Sequence, residues 1–225
     1  MDHFLQKNEK TLVTVLCAFA AVRLFVFIAA FPTFNNVDEI FHFDTITKYA
    51  RGEIPKKGAS SFDREVLMFN SIYGTPEYFS NSPDGATPLP PWRHPSRATT
   101  LNVMEMVNKH QITINREAGD PPLYYLVAGF WSRLGRLIGL DGGFLLYWIR
   151  FLNIPLGVAT VYLAYVFARR LFPSNLNLRL GAPLLIAFLP QDVLYGMNSD
   201  VLSPLVCGAF FYGLLQLHLA QKTAY

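Results

Sequence analysis

The sequence predicts an all-α membrane protein with about four transmembrane helices and a long outer loop that carries interfacial helices. Three observations point there. Charged residues make up 16% of the chain, where a soluble domain carries about 25%. Several apolar segments have the ~20 residues that an α-helix needs to cross a bilayer. Between the first of them and the rest lies a long interval rich in Pro, Gly and Ser. The net charge of +3, with basic residues dispersed, leaves no footprint for nucleic acid. Cys17 and Cys207 lie in apolar runs and read as small buried hydrophobes, with no CxxC metal site.

The first element is a helix over 12–31. Lys7 and Lys10 precede it as in a signal peptide, but a signal core is about 7–15 residues, so this run reads as a retained span. It sets twelve Leu, Ile, Val or Phe residues against the single Arg23. Each apolar residue contributes roughly −0.3 to −0.6 kcal/mol and an Arg costs about 2.5–3.5, so insertion is favourable. The next apolar stretch, 121–140, has eight such residues against Arg133 and Arg136, with Pro and Gly added. It reads as an amphipathic helix at the outer interface, anchored by Tyr124, Tyr125 and Trp131.

Further spans are expected over 144–167, 180–198 and 201–220. With Lys7 and Lys10 inside, this arrangement also puts Arg169, Arg170, Arg179 and Lys222 inside, as the positive-inside rule asks. Counting 121–140 as a span would reverse the three arginines. The chain thus divides into a cytoplasmic N-terminus with the first span (1–31), an outer loop (32–143) with juxtamembrane helices near 37–51 and 121–140, and three further spans (144–225).

Four places carry candidate chemistry. The first is Asn36-Val-Asp-Glu-Ile-Phe-His-Phe-Asp44, directly after the first span. Asn36 can cap a helix from Val37, with Glu39 closing a capping box, and Gly52 and Pro55 end it. Asp38 and His42 share a helical face, as do Glu39 and His42. Capping and dipole pairing explain these residues without any function. Adjacent carboxylates beside an imidazole at a membrane surface also suit acid–base work. A helical HExxH zinc site would need His where Asp38 stands, and spacing gives no support to a loop metal at His94 or His110.

The second place is Glu117-Ala-Gly-Asp-Pro-Pro-Leu-Tyr-Tyr125, where Asp120 reads as a cap before a Pro-initiated helix and Glu117 is less easily explained so. The third is Gly196-Met-Asn-Ser-Asp200, a turn by composition, with Asp192 deeper in the expected helix. Asp192, Arg23 and Arg150 fall under the rule that ionisable groups at membrane depth are paired or functional, and Arg150 can also snorkel from its span end. The fourth is 53–115, either a poorly ordered insertion or a cover over a site, with Tyr73, Tyr78 and Trp92 as stacking surfaces.

Asp38-Glu39-x-x-His42, Gly52-x-x-Pro55, Pro121-Pro-Leu-Tyr-Tyr125, Arg150-Phe-Leu-Asn153, Ala168-Arg-Arg-Leu-Phe172 and Asn198-Ser-Asp200 together resemble the N-terminal module of the GT-C superfamily. These are membrane glycosyltransferases that use polyprenyl-linked sugars, among them protein mannosyltransferases, aminoarabinose transferases and oligosaccharyltransferases. The likeness extends to bacterial members whose first loop begins Pro-Asp-Glu-x-x-His, with Val37 in place of that Pro. It spans nearly all of the chain outside 56–115. It implies a catalytic first-loop acid, Asp38 with Glu39 beside it, and substrate-binding roles for His42, Glu117, Arg150 and Asp200. Many relatives have two acids at the last site; here Asn198 stands in one place, which weakens a metal there. The implied partners are a lipid-linked sugar donor, a glycan, lipid or protein acceptor, and membrane lipids. No cofactor is implied with certainty, and a divalent cation stays open. The implied setting is a bacterial inner membrane with the long loop outside. Such enzymes have eight or more spans, so the chain is expected to be a fragment. The rival expectation is a non-catalytic binding or transport module in which Arg23 and Asp192 line a substrate path.

Overall fold

The structure, a computed structural model, describes residues 6–34, 38–74, 105 and 114–223. Among these, regular structure is helical apart from an isolated antiparallel bridge between Ser61 and Ile114. In chain order the α-helices are α1 (Glu9–Ala30), α2 (Glu39–Arg51), α3 (Arg64–Tyr73), α4 (Pro122–Leu137), α5 (Gly142–Phe151), α6 (Asn153–Leu171), α7 (Leu176–Phe188) and α8 (Ser203–Thr223). Short 3₁₀ turns occupy Arg116–Gly119, Asp192–Leu194 and Ser199–Leu202. Among the described residues, three stretches are long and apolar enough to cross a bilayer: Glu9–Ala30, Gly142–Leu171 and Ser199–Gln221. The chain is an all-α membrane protein.

The span expected over 180–198 takes a different form. Helix α7 has 13 residues, about 20 Å of rise against a hydrocarbon core of about 30 Å. It ends because Pro190 has no N–H to donate and forces extended backbone on Leu189, which sits at φ −60°, ψ 121°. Asp192 is therefore exposed in a 3₁₀ turn and is not inside a spanning helix.

The chain forms two compact units. The first comprises Met1–Phe27, Asn153–Tyr195 and Asp200–Tyr225. Its core is built of small residues, Ala20, Val161 and Ala187, which let α1, α6 and α7 approach closely. Cys17 packs against that core, whereas Cys207 is exposed on α8 and does not take the buried place expected of it. Arg23, on α1, donates to the Ala187 carbonyl (2.8 Å) and the Tyr195 hydroxyl (3.2 Å). Glu9 and Arg179 pair at 3.0 Å, so the starts of α1 and α7 lie at one end of the unit. That agrees with the grouping of Lys7, Lys10 and Arg179 on one side of the membrane by charge.

The second unit comprises Ile28–Leu152 and Gly196–Ser199. Helix α2 runs through its middle, packed on α3, α4 and the Arg116–Gly119 turn. It is unusual in burying polar side chains: Glu39, His42, Asp44, Thr45, Thr47 and Lys48. A buried polar group without a partner costs about 1–3 kcal/mol, so each needs one. The Asp44 carboxylate accepts from Lys48 Nζ (2.6 Å), Asn115 Nδ2 (2.6 Å) and the Asp63 N–H (2.8 Å). Lys48 also donates to Ser60 Oγ and to the Ser61 carbonyl. This network ties both ends of the long loop to α2. Gly52 ends the helix at φ 83°, the left-handed conformation that glycine adopts without steric cost.

Helix α4 meets α2 through Gly129, where a Cβ would stand 2.9 Å from the Ala50 nitrogen. Trp131 stacks on Trp148 of α5 at 4.3 Å, and each indole N–H donates to the other's carbonyl. Tyr124 and Tyr125 are 2% and 0% exposed. The three aromatic residues expected at the lipid interface thus pack inward, because α4 turns its narrow face of Ala128, Gly129, Ser132 and Gly135 to the same side. Leu123, Leu126, Val127 and Phe130 form the exposed apolar face.

Candidate active site at the start of the second helix

The two adjacent acids at the start of α2 have opposite environments. Asp38 is exposed at the N-cap position, and its side chain makes no capping bond. Its carbonyl accepts from the N–H groups of Phe41 and His42. Glu39 is 1% exposed. Its Oε1 accepts from Arg150 Nε (2.6 Å) and the Met197 N–H (3.0 Å); its Oε2 accepts from Arg150 Nη2 (2.6 Å) and the Phe34 N–H (2.7 Å). This is a bidentate pair with both carboxylate oxygens used twice. The helix starts at Glu39 behind the N-cap Asp38, and Arg150 holds the Glu39 side chain; the expected capping box rests on Asn36, which with Val37 lies outside the described residues.

Arg150 is 0% exposed, so the expected snorkelling does not occur. Beyond Glu39 it donates to the carbonyls of Phe31 (2.7 Å) and Pro32 (2.8 Å). One guanidinium therefore gathers the exit of α1, the start of α2 and α5. The Gly196–Met197 backbone joins them through Glu39. In the Arg150-Phe-Leu-Asn153 motif the second polar residue also holds backbone: within the first unit, Asn153 Nδ2 donates to the Leu194 carbonyl at 3.1 Å.

One turn along α2 from Asp38 is His42, 4% exposed. Its Nδ1 lies 2.8 Å from the Tyr125 hydroxyl, which donates to Asp120 at 3.3 Å. The Ser199 side chain lies near the same hydroxyl. Glu117 and Asp120 are half-buried, and donor atoms of His42, Glu117 and Asp120 all lie within 4.8 Å of one another. The turn that carries Glu117 is fastened by Asn115, whose Oδ1 accepts the Glu117 N–H and whose Nδ2 reaches the Phe41 carbonyl. Burial pushes the Tyr125 phenol well up; Ser199 opposes this, while the Asp120 and Glu117 carboxylates add to it. Tyr125 therefore stays protonated and acts as a donor.

Of the residues singled out from sequence, the structure pairs Glu39 with Arg150 and brings His42 to Glu117. Asp38 stands exposed in the same unit. Asp200 belongs to the other unit, where it lines a pocket of about 40 Å³ with Arg23, Gln191, Thr160 and Pro204. His94, His110, Tyr78 and Trp92 lie outside the described residues. Sequence reasoning missed Tyr125 as a partner of the imidazole, and missed Asn115. Asp44–Lys48 was legible as an i,i+4 pair; nothing local marks Asn115.

A family described as predicted membrane proteins (DUF2142) matches residues 21–196. No curated protein and no solved structure matches the chain.

Proposed function

The chain belongs to the DUF2142 family of predicted membrane proteins, and for this member we propose a glycosyltransferase reaction at the start of α2. A sugar is moved from a polyprenyl-phosphate donor to an acceptor hydroxyl on the outer face of a bacterial inner membrane. The observation that carries the reading is the division of labour between Asp38 and Glu39. Glu39 is fully committed to Arg150 and two backbone N–H groups, while its neighbour stands exposed one helical turn from His42. The ordered likeness to GT-C motifs supports the same reading, since it makes Asp38 the first-loop acid.

In the reaction the acceptor oxygen attacks the anomeric carbon from the side opposite the donor phosphate. The new C–O bond forms as the bond to the phosphate oxygen breaks, with inversion, and the polyprenyl phosphate leaves with the electron pair. The acceptor's proton passes to the Asp38 carboxylate, a step that contributes about 10²–10⁴-fold when base and hydroxyl are within hydrogen-bond reach. Glu39 and Arg150 are positioning residues: they hold the start of α2 and touch no substrate. His42 and Glu117 bind the acceptor.

Asp38→Asn is expected to lower transfer from polyprenyl-phosphate sugars about 10²–10⁴-fold in membranes that contain the protein at wild-type abundance. Unchanged transfer by that variant overturns the assignment. Saturable binding of the donor with no transfer at all, by wild type, favours a binding or transport module.

A further inference from the structure

We propose that His42, Glu117 and Asp120 form a binding site for one divalent transition-metal ion, Zn²⁺ or Mn²⁺. The three offer donor atoms within 4.8 Å of one another. Ligands held about 2.0–2.2 Å from a common ion stand roughly 3–4 Å apart, so the cluster needs to tighten by only about an ångström. One imidazole with two carboxylates is a mixed nitrogen–oxygen set. It suits Zn²⁺ or Mn²⁺ better than Ca²⁺ or Mg²⁺, which favour oxygen alone.

The Tyr125 hydroxyl lies 2.8 Å from His42 Nδ1 and 3.3 Å from Asp120, and a second partner behind a ligating side chain is what fixes its orientation. The ligands also come from rigid places. His42 is on the buried face of α2, and Glu117 lies in a 3₁₀ turn that Asp120 ends and Asn115 pins to α2. His42 is buried while both acids are partly exposed, which leaves one side of the ion for water or substrate. If the transferase reading holds, an oxygen of the acceptor that His42 and Glu117 bind takes that side.

The test is metal uptake by the whole purified chain in detergent, stripped with chelator and titrated with Mn²⁺ or Zn²⁺. Wild type is expected to take up one ion and to melt at a higher temperature with it. Glu117→Gln and Asp120→Asn keep side-chain shape and are expected to weaken binding at least about tenfold and to lose the melting shift. Tyr125→Phe, which removes the hydroxyl shared by His42 and Asp120, is expected to weaken binding about 10–100-fold. Glu65→Gln, at an exposed ion pair elsewhere, is expected to change nothing. The metal-free melting temperature of each variant shows whether it folds, and any one of the three that does is decisive. No stoichiometric uptake by wild type, or equal uptake by a folded site variant, overturns the proposal. Uptake without sugar transfer sinks the transferase reading alone; transfer without uptake sinks the metal site alone.

Discussion

Glu39 and Arg150 are 111 residues apart and share one buried bidentate contact. Removing one partner of such a pair leaves an uncompensated charge and costs about 3–5 kcal/mol. Arg150→Met is expected to lose stability on that scale in denaturant unfolding in detergent. Apolar replacement of both partners often restores stability, but here it should not. The pair also satisfies two carbonyls, of Phe31 and Pro32, and two N–H groups, of Phe34 and Met197. The double variant Glu39→Met/Arg150→Met takes a partner from all four, so it is expected to be no more stable than Arg150→Met. A double variant near wild-type stability would show that the backbone contacts carry little. Sequence alone picked out Glu39 as one of two adjacent acids at a membrane surface and Arg150 as an ionisable group at a span end. It could not join them, because no local spacing links a loop acid to an arginine in another helix.

At the scale of elements, α4 shows how a helix too polar to span still finds a place. Its small residues allow backbone contact with α2, its tryptophan locks onto α5, and its Leu and Phe residues stay exposed. Gly129→Ala would push a methyl group into the backbone of Tyr49 and Ala50 and is expected to cost about 1–3 kcal/mol. Gly181→Ala, in α7 with nothing within 4 Å of the added atom, is expected to cost nothing. Comparing the two in the same unfolding assay separates close packing from glycine content; equal effects would refute the close-approach account. The existence of α1, α2 and α4 was legible in apolar runs, Pro and Gly. The inward turn of Tyr124 and Tyr125 was not, since hydropathy favours the lipid interface for tyrosine and only the facing surface of α2 reverses that. The early end of α7 was readable at Pro190, yet the apolar run through it carried more weight.

At the scale of the whole molecule, charge groups Lys7, Lys10, Arg169, Arg170 and Arg179 on one side of the membrane. The Glu9–Arg179 pair keeps two of the corresponding helix starts together. For the proposed orientation, Lys57→Cys in a background without Cys17 and Cys207 is expected to react with an impermeant maleimide in intact cells. Ser174→Cys is expected to react only after permeabilisation. Reactivity of Ser174→Cys in intact cells would invert the topology and put the candidate site inside.

The long interval after the first span was visible from composition, as were the membrane class and the acids that cluster near that span. Those follow from the local chain: apolar length decides insertion, and charge decides side. What needed the tertiary structure was the difference between Asp38 and Glu39, adjacent acids with the same motif around them. Helical geometry turns successive side chains by about 100°, so one faces outward while the other meets Arg150. The same applies to His42, whose neighbours come from residues 117–125. Contacts between distant segments are set by packing, and packing decides which of several chemically equal residues stays available for chemistry.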